Sequence, residues 1–178
     1  MTILKTAQGK SYVTLLMLCS TSMMTCMPAF AQPQLAACDL VDRELISTLL
    51  QSTIRQHSPN RDVRTGWMGA AESVCSFFGT APSHIVLVFL WEFPRPADTV
   101  AAIRDGVRTF TSLGGTYALE KGLGDEAYWC GSGSTEYGFF VRKGNRLLSF
   151  RTSWNDTISS TEAKKRLSLI MPAIVSKL

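Results

Sequence analysis

Residues Gly122 to Trp154 read GLGDEAYWCGSGSTEYGFFVRKGNRLLSFRTSW, and this stretch decides the fold. Tyr137, Phe139 and Val141 alternate with Glu136, Gly138, Phe140 and Arg142. Past Lys143-Gly144-Asn145-Arg146, Leu148, Phe150, Thr152 and Trp154 alternate with Leu147, Ser149, Arg151 and Ser153. A period of two is that of a strand, and a Gly-Asn pair between two such runs offers the positive φ of a tight hairpin. With the run that ends at Cys130, the stretch predicts three antiparallel strands. Gly122 and Gly124 ease an otherwise strained entry into the first of them, where Asp125 is placed to bond to nearby backbone.

Upstream, Leu40, Val41, Leu45, Ile46, Leu49, Leu50 and Ile54 recur at helical spacing, with Asp39 or Asp42 placed as the cap. The spacing predicts one helix ending near His57, stopped by Ser58-Pro59-Asn60, and then an exposed Arg-rich loop as far as Trp67-Met68-Gly69. Ser73–Gly79 and His84–Phe93 read as two strands joined by a turn. The second is apolar at almost every position and is expected to be the central strand. Pro96 opens a helix with Val100, Ile103, Val107 and Phe110 on its apolar stripe and Gly114-Gly115 at its end. Thr116–Lys121 is a connector. Ser159 and Glu162 form a capping box before a last helix containing Pro172. The order α-β-β-α-β-β-β-α predicts an α+β fold: an antiparallel β-sheet of about five strands with flanking helices.

The first 31 residues read as a targeting segment. Lys5 and Lys10 precede a mostly apolar run from Tyr12 to Met27, and Pro28-Ala29-Phe30-Ala31 ends in an A-x-A pattern. This predicts a signal peptide over 1–31, cleaved after Ala31, and a single periplasmic or secreted domain over 32–178. Ser20, Thr21, Ser22 and Thr25 interrupt the run short of the ~20 residues that a membrane span needs. Leu35-Ala36-Ala37-Cys38 also fits a lipobox, which would make Cys38 a lipid anchor. Gln32-Pro33-Gln34 separates that box from the apolar run, which favours the soluble reading.

Losing the two lysines of the leader lowers the formal charge from +4 to +2. The remaining charges alternate in sign apart from Lys164-Lys165-Arg166, so no electrostatic footprint for nucleic acid is present. Three of the five cysteines remain: Cys38, Cys75 and Cys130. An oxidising compartment calls for a bridge and leaves one thiol over. In a soluble protein the pair is Cys38 with Cys75, and Cys130 is the spare thiol. A lipidated Cys38 would instead leave Cys75 to pair with Cys130.

Sites of chemistry are sparse. His57 and His84 stand apart, with no H-x-x-H or C-x-x-C spacing, so no metal or cofactor residues are assigned. A thiol enzyme would need Cys130 as nucleophile and one of the two histidines as base. Gly131-Ser132-Gly133 precedes a strand rather than a helix and reads as a turn, not a phosphate loop. The aromatic residues carry more information. Neighbours on a strand face opposite sides, so the adjacent pairs Tyr128/Trp129 and Phe139/Phe140 put rings on both faces of the sheet. Trp129, Tyr137, Phe140 and Trp67 are the candidate binding surface, together with the loops Arg61–Met68 and Gly131–Thr135.

Cys38-Asp39-Leu40, Val74-Cys75-Ser76-Phe77, Gly122-Leu123-Gly124-Asp125-Glu126-Ala127-Tyr128-Trp129 and Val141-Arg142-Lys143-Gly144 resemble motifs of small bacterial envelope proteins related to the LpqN-like lipoproteins. The resemblance implies an antiparallel sheet with flanking helices, distantly similar to the PsbP-like fold, and a bridge between Cys38 and Cys75. It transfers no catalytic residues. The chain departs from the lipoproteins in lacking a well-placed lipobox, and Cys130 is outside the pattern. The function expected from all this is a non-enzymatic envelope accessory or binding protein, with an unknown protein or small apolar ligand as partner. The alternatives are a periplasmic inhibitor of one partner protein and a thiol enzyme using Cys130.

Overall fold

Lys143 faces Arg146 across a two-residue turn, and Gly144 takes φ +60° while Asn145 does not. A positive φ at the first turn position alone is the type II′ pattern, which matches the twist of the flanking strands. The resulting hairpin, β6 (Glu136–Lys143) and β7 (Arg146–Ser153), lies inside a seven-stranded antiparallel sheet. The computed structural model describes residues 35–81, 84–132, 136–154 and 158–178. The expected leader, its cleavage site and the lipobox spacer lie outside them.

The other elements in chain order are α1 (Ala37–Leu40), α2 (Arg43–Leu50), β1 (Ile54–Thr65), a 3-10 turn at Trp67–Gly69, β2 (Ala71–Gly79), β3 (Ile85–Glu92), α3 (Pro96–Ser112), β4 (Thr116–Glu120), β5 (Glu126–Ser132) and α4 (Ser160–Ser176). The strand order is β1-β2-β3-β7-β6-β5-β4. This corrects the expectation of about five strands in the order α-β-β-α-β-β-β-α. The two unforeseen strands, β1 and β4, are the two edges of the sheet, and β7 rather than β3 is the middle strand.

Both corrections have a physical reason. An edge strand pairs on one side only, so it tolerates polar residues and proline where an interior strand does not. β1 carries Arg55, Gln56, His57, Ser58 and Pro59, and its register with β2 shifts between Asn60 and Arg64. The helix expected to reach His57 stops at Leu50, where Gln51 takes a left-handed φ of +49°. Asp42 caps α2 by accepting from the Leu45 N–H at 2.7 Å. Ile54, which extends the helical spacing, is instead a buried strand residue. β4 exposes most of its short length, so no alternation marks it.

The sheet is covered on both faces. On the first, α1, α2 and α4 pack over Cys75, Phe77, Val86, Val88, Phe139, Leu148 and Phe150. On the second, α3 packs over β4, β6 and β7, with Ala102 and Ile103 against Phe140, Cys130 and Leu147. The GLGDE segment proves structural. The Asp125 carboxylate accepts from the Gly144 N–H at 2.7 Å and from Arg142, and the Asp125 N–H donates to the Arg142 carbonyl. It thereby ties the start of β5 to the turn of the neighbouring hairpin, rather than to its own glycine turn.

Candidate functional site

The register lines up side chains across the second face. One row runs Tyr117, Cys130, Gly138, Arg151, Leu87, and the next runs Tyr128, Phe140, Ser149, Phe89. Gly138 contributes no side chain to the row between Cys130 and Arg151, where the β7 backbone passes close. Any larger residue there would drive its Cβ to 2.1 Å from the Phe150 carbonyl oxygen. The Arg151 guanidinium leans over the Phe140 and Phe89 rings, 5.3 and 6.0 Å from their centroids, and its Nε donates to Ser149 Oγ at 3.1 Å. Those distances lie within cation–π range.

A wall of aromatics continues from there. Phe89 stacks on Trp91 at 5.4 Å, and Trp67 meets Trp91 edge-on at 6.1 Å. Trp67 is delivered by the β1–β2 connection, closed by a Gly66 N–H to Ala70 carbonyl bond, in which Met68 sits at φ +53°. A left-handed methionine is a strained conformation that its surroundings must hold in place. Glu72 steadies the same corner by accepting from Trp91 Nε1 and from Arg64, both at 2.7 Å. Across the cleft, α3 presents Gly106 to Trp67; a Cβ there would meet the indole at 3.3 Å.

The result is a cleft of two lobes. A larger one, about 290 Å³, is bounded by Trp67, Trp91, Phe110, Phe140, Leu113 and Arg151. A smaller one, about 170 Å³, is bounded by Ile85, Leu87, Phe110, Cys130, Glu136 and Arg151. Phe110 and Arg151 border both, so the guanidinium stands at the junction.

Burial dominates the ionisable groups around it. Cys130 is 2 % exposed, and burial pushes its thiol up to about 12 against a partial counter-effect of Arg151. A thiol kept protonated is a poor nucleophile. Burial also raises Tyr117, whose hydroxyl finds no partner among the described residues. His57 lies at the disulfide rather than beside Cys130. His57 stacks on Phe77 at 4.4 Å with Nε2 3.3 Å from Cys75 Sγ and 3.9 Å from Cys38 Sγ. Cys38, His57 and Cys75 are the potential metal ligands that gather within 4.8 Å among the described residues. Cys38 and Cys75 form a disulfide, which uses both sulfurs, and Cys130 is the free cysteine.

Of the four aromatics singled out in the sequence, Trp67 and Phe140 come together in the larger lobe. Trp129 and Tyr137 belong to the first-face core, stacked on each other at 5.8 Å, although Tyr137 also borders the smaller lobe. Of the Gly131–Thr135 loop, residues 133–135 lie outside the described ones, and Arg64 and Thr65 belong to β1. Arg151 and Leu87 border the cleft without an expectation attached to either, and Phe110, expected on the apolar stripe of α3, borders both lobes. The signal for Arg151 was its place in the alternation of β7, which aligns it beside Gly138.

No protein-family model and no curated protein matches the chain. Among solved structures, the extracellular domain of PknH from Mycobacterium tuberculosis overlaps 82% of this chain and 97% of its own, with a TM-score of 0.49 and 12% sequence identity. The likeness to LpqN-like proteins therefore stands on the sequence motifs alone. No helix among the described residues is long and apolar enough to cross a membrane.

Proposed function

We propose that this is a non-enzymatic binding or accessory domain of the cell envelope that holds a small apolar molecule in the second-face cleft. One observation carries the reading. Along β2 and β3 the first-face residues Cys75, Phe77, Val86, Val88 and Leu90 are buried, whereas their second-face neighbours Val74, Phe78, Ile85, Leu87 and Phe89 remain partly exposed. Apolar side chains left open to solvent beside a concave aromatic wall are characteristic of a binding site. Export to an oxidising compartment is supported by the leader-like pattern at 1–31 and by the Cys38–Cys75 bridge.

The uncharged dye N-phenyl-1-naphthylamine tests the reading. The protein is expected to enhance its fluorescence saturably, and Leu87→Glu, which puts a charge into the cleft, is expected to abolish the effect without unfolding the domain. Absence of enhancement, or equal enhancement by the Leu87→Glu variant, would count against the cleft.

A further inference from the structure

We infer that the molecule this cleft takes is an amphipathic carboxylic acid, its carboxylate on Arg151 and its apolar tail in the lobe of Trp67 and Trp91. This rests on the binding role proposed above and adds the chemical class of the ligand.

The inference starts from the company Arg151 keeps. Among the sheet arginines, Arg64, Arg142 and Arg146 each pair with a carboxylate: Glu72, Asp125 with Glu126, and Glu92. None of the ion pairs among the described residues uses Arg151; its Nε donates to the Ser149 hydroxyl. The Phe89 and Phe140 rings contact its cationic plane and take none of its in-plane N–H groups. A guanidinium carries five donors in a fork that matches a carboxylate bidentately. Most of that fork is therefore open, at the junction of two apolar lobes.

The neighbouring acids fit the same orientation. Asp105 borders the larger lobe but is engaged by Arg108 on its own helix. Glu136 borders the smaller lobe, so a ligand anion is disfavoured there and its tail is directed into the aromatic lobe. Together the lobes fall in the range of small-molecule pockets, roughly 300–1,000 Å³.

The test compares two probes of equal chain length, dodecanoate and dodecan-1-ol, titrated calorimetrically at neutral pH into wild type, Arg151→Gln and Arg151→Lys. A charged hydrogen-bonded contact predicts that wild type binds the acid about ten- to a hundredfold more tightly than the alcohol. Arg151→Gln should erase that preference, acid and alcohol then binding within about twofold of each other, and Arg151→Lys, a point charge without the fork, should retain part of it. Arg151 is exposed but bonds to the buried Ser149 hydroxyl and leans over two rings, so Arg151→Gln should unfold cooperatively at a modestly lower temperature than wild type. Equal binding of acid and alcohol by wild type, or undiminished acid binding by Arg151→Gln, would overturn the inference and leave the apolar cleft standing. Failure to bind either probe would overturn both.

Discussion

The two faces of this sheet are built from the same strands and do different things. On the first, three helices and a disulfide enclose a core in which Phe77, Phe139, Leu148 and Phe150 have no solvent contact. On the second, one helix packs over β4, β6 and β7, while the exposed flank of β2 and β3 runs into the aromatic cleft. The contrast separates closed from open packing. Three helices close the first face, and the second leaves apolar surface and the Arg151 guanidinium exposed beside the cleft.

The comparison is broken most severely by truncating matched rings on the two faces. Phe150→Ala on the first should cost about 3–5 kcal/mol in urea unfolding, since it opens a cavity in a closed core. Phe89→Ala, partly exposed on the second, should cost less, and equal losses would erase the distinction. Next in size is the bridge. Replacing Cys38 and Cys75 by serine should lower stability by about 4 kcal/mol on the chain-entropy estimate for a sequence separation of 37 residues. Asp125→Ala, which removes the tie between β5 and the β6–β7 turn, should cost about 1 kcal/mol and leave dye binding intact.

The smallest effect sharpens the second face. Burial raises the Cys130 thiol from an ordinary 9.0 to about 12. The unfolded chain therefore releases the proton first, so the contribution is fully present below pH 9, falls as the pH rises, and is gone above about 12. Unfolding titrations of wild type and Cys130→Ala should show a shallower decline for the variant across that window, and superimposable slopes would contradict the burial. Iodoacetamide should label Cys130 slowly in native protein and rapidly in urea.

Legibility in the sequence followed burial. The β6–β7 hairpin could be read because two strand-like runs flank a Gly-Asn pair suited to a tight turn, although both faces of these strands are largely buried. α3 was equally readable, from Pro96 at its start to its apolar stripe. β1 and β4 were not, because an edge strand with one partner need not write its pairing into hydrophobicity, and Ile54 happened to extend the spacing of α2. At the cleft, alternation placed rings on both faces but could not say which face the helices would leave open. That depends on α3 packing over one half of the second face, and it explains why Trp67 and Phe140 meet in the cleft while Trp129 and Tyr137 pack in the first-face core. Arg151 stands apart in the proposal because none of the ion pairs among the described residues uses it, a property of the folded molecule.

The division between the faces is tested most directly by following backbone amide and side-chain methyl NMR signals while dodecanoate is added. Shifts concentrated at Trp67, Trp91, Phe110, Leu113, Phe140 and Arg151, with the α1, α2 and α4 signals unmoved, are the expected result. Shifts centred on the first-face helices, or none at saturating dodecanoate, would contradict the assignment of recognition to the second face.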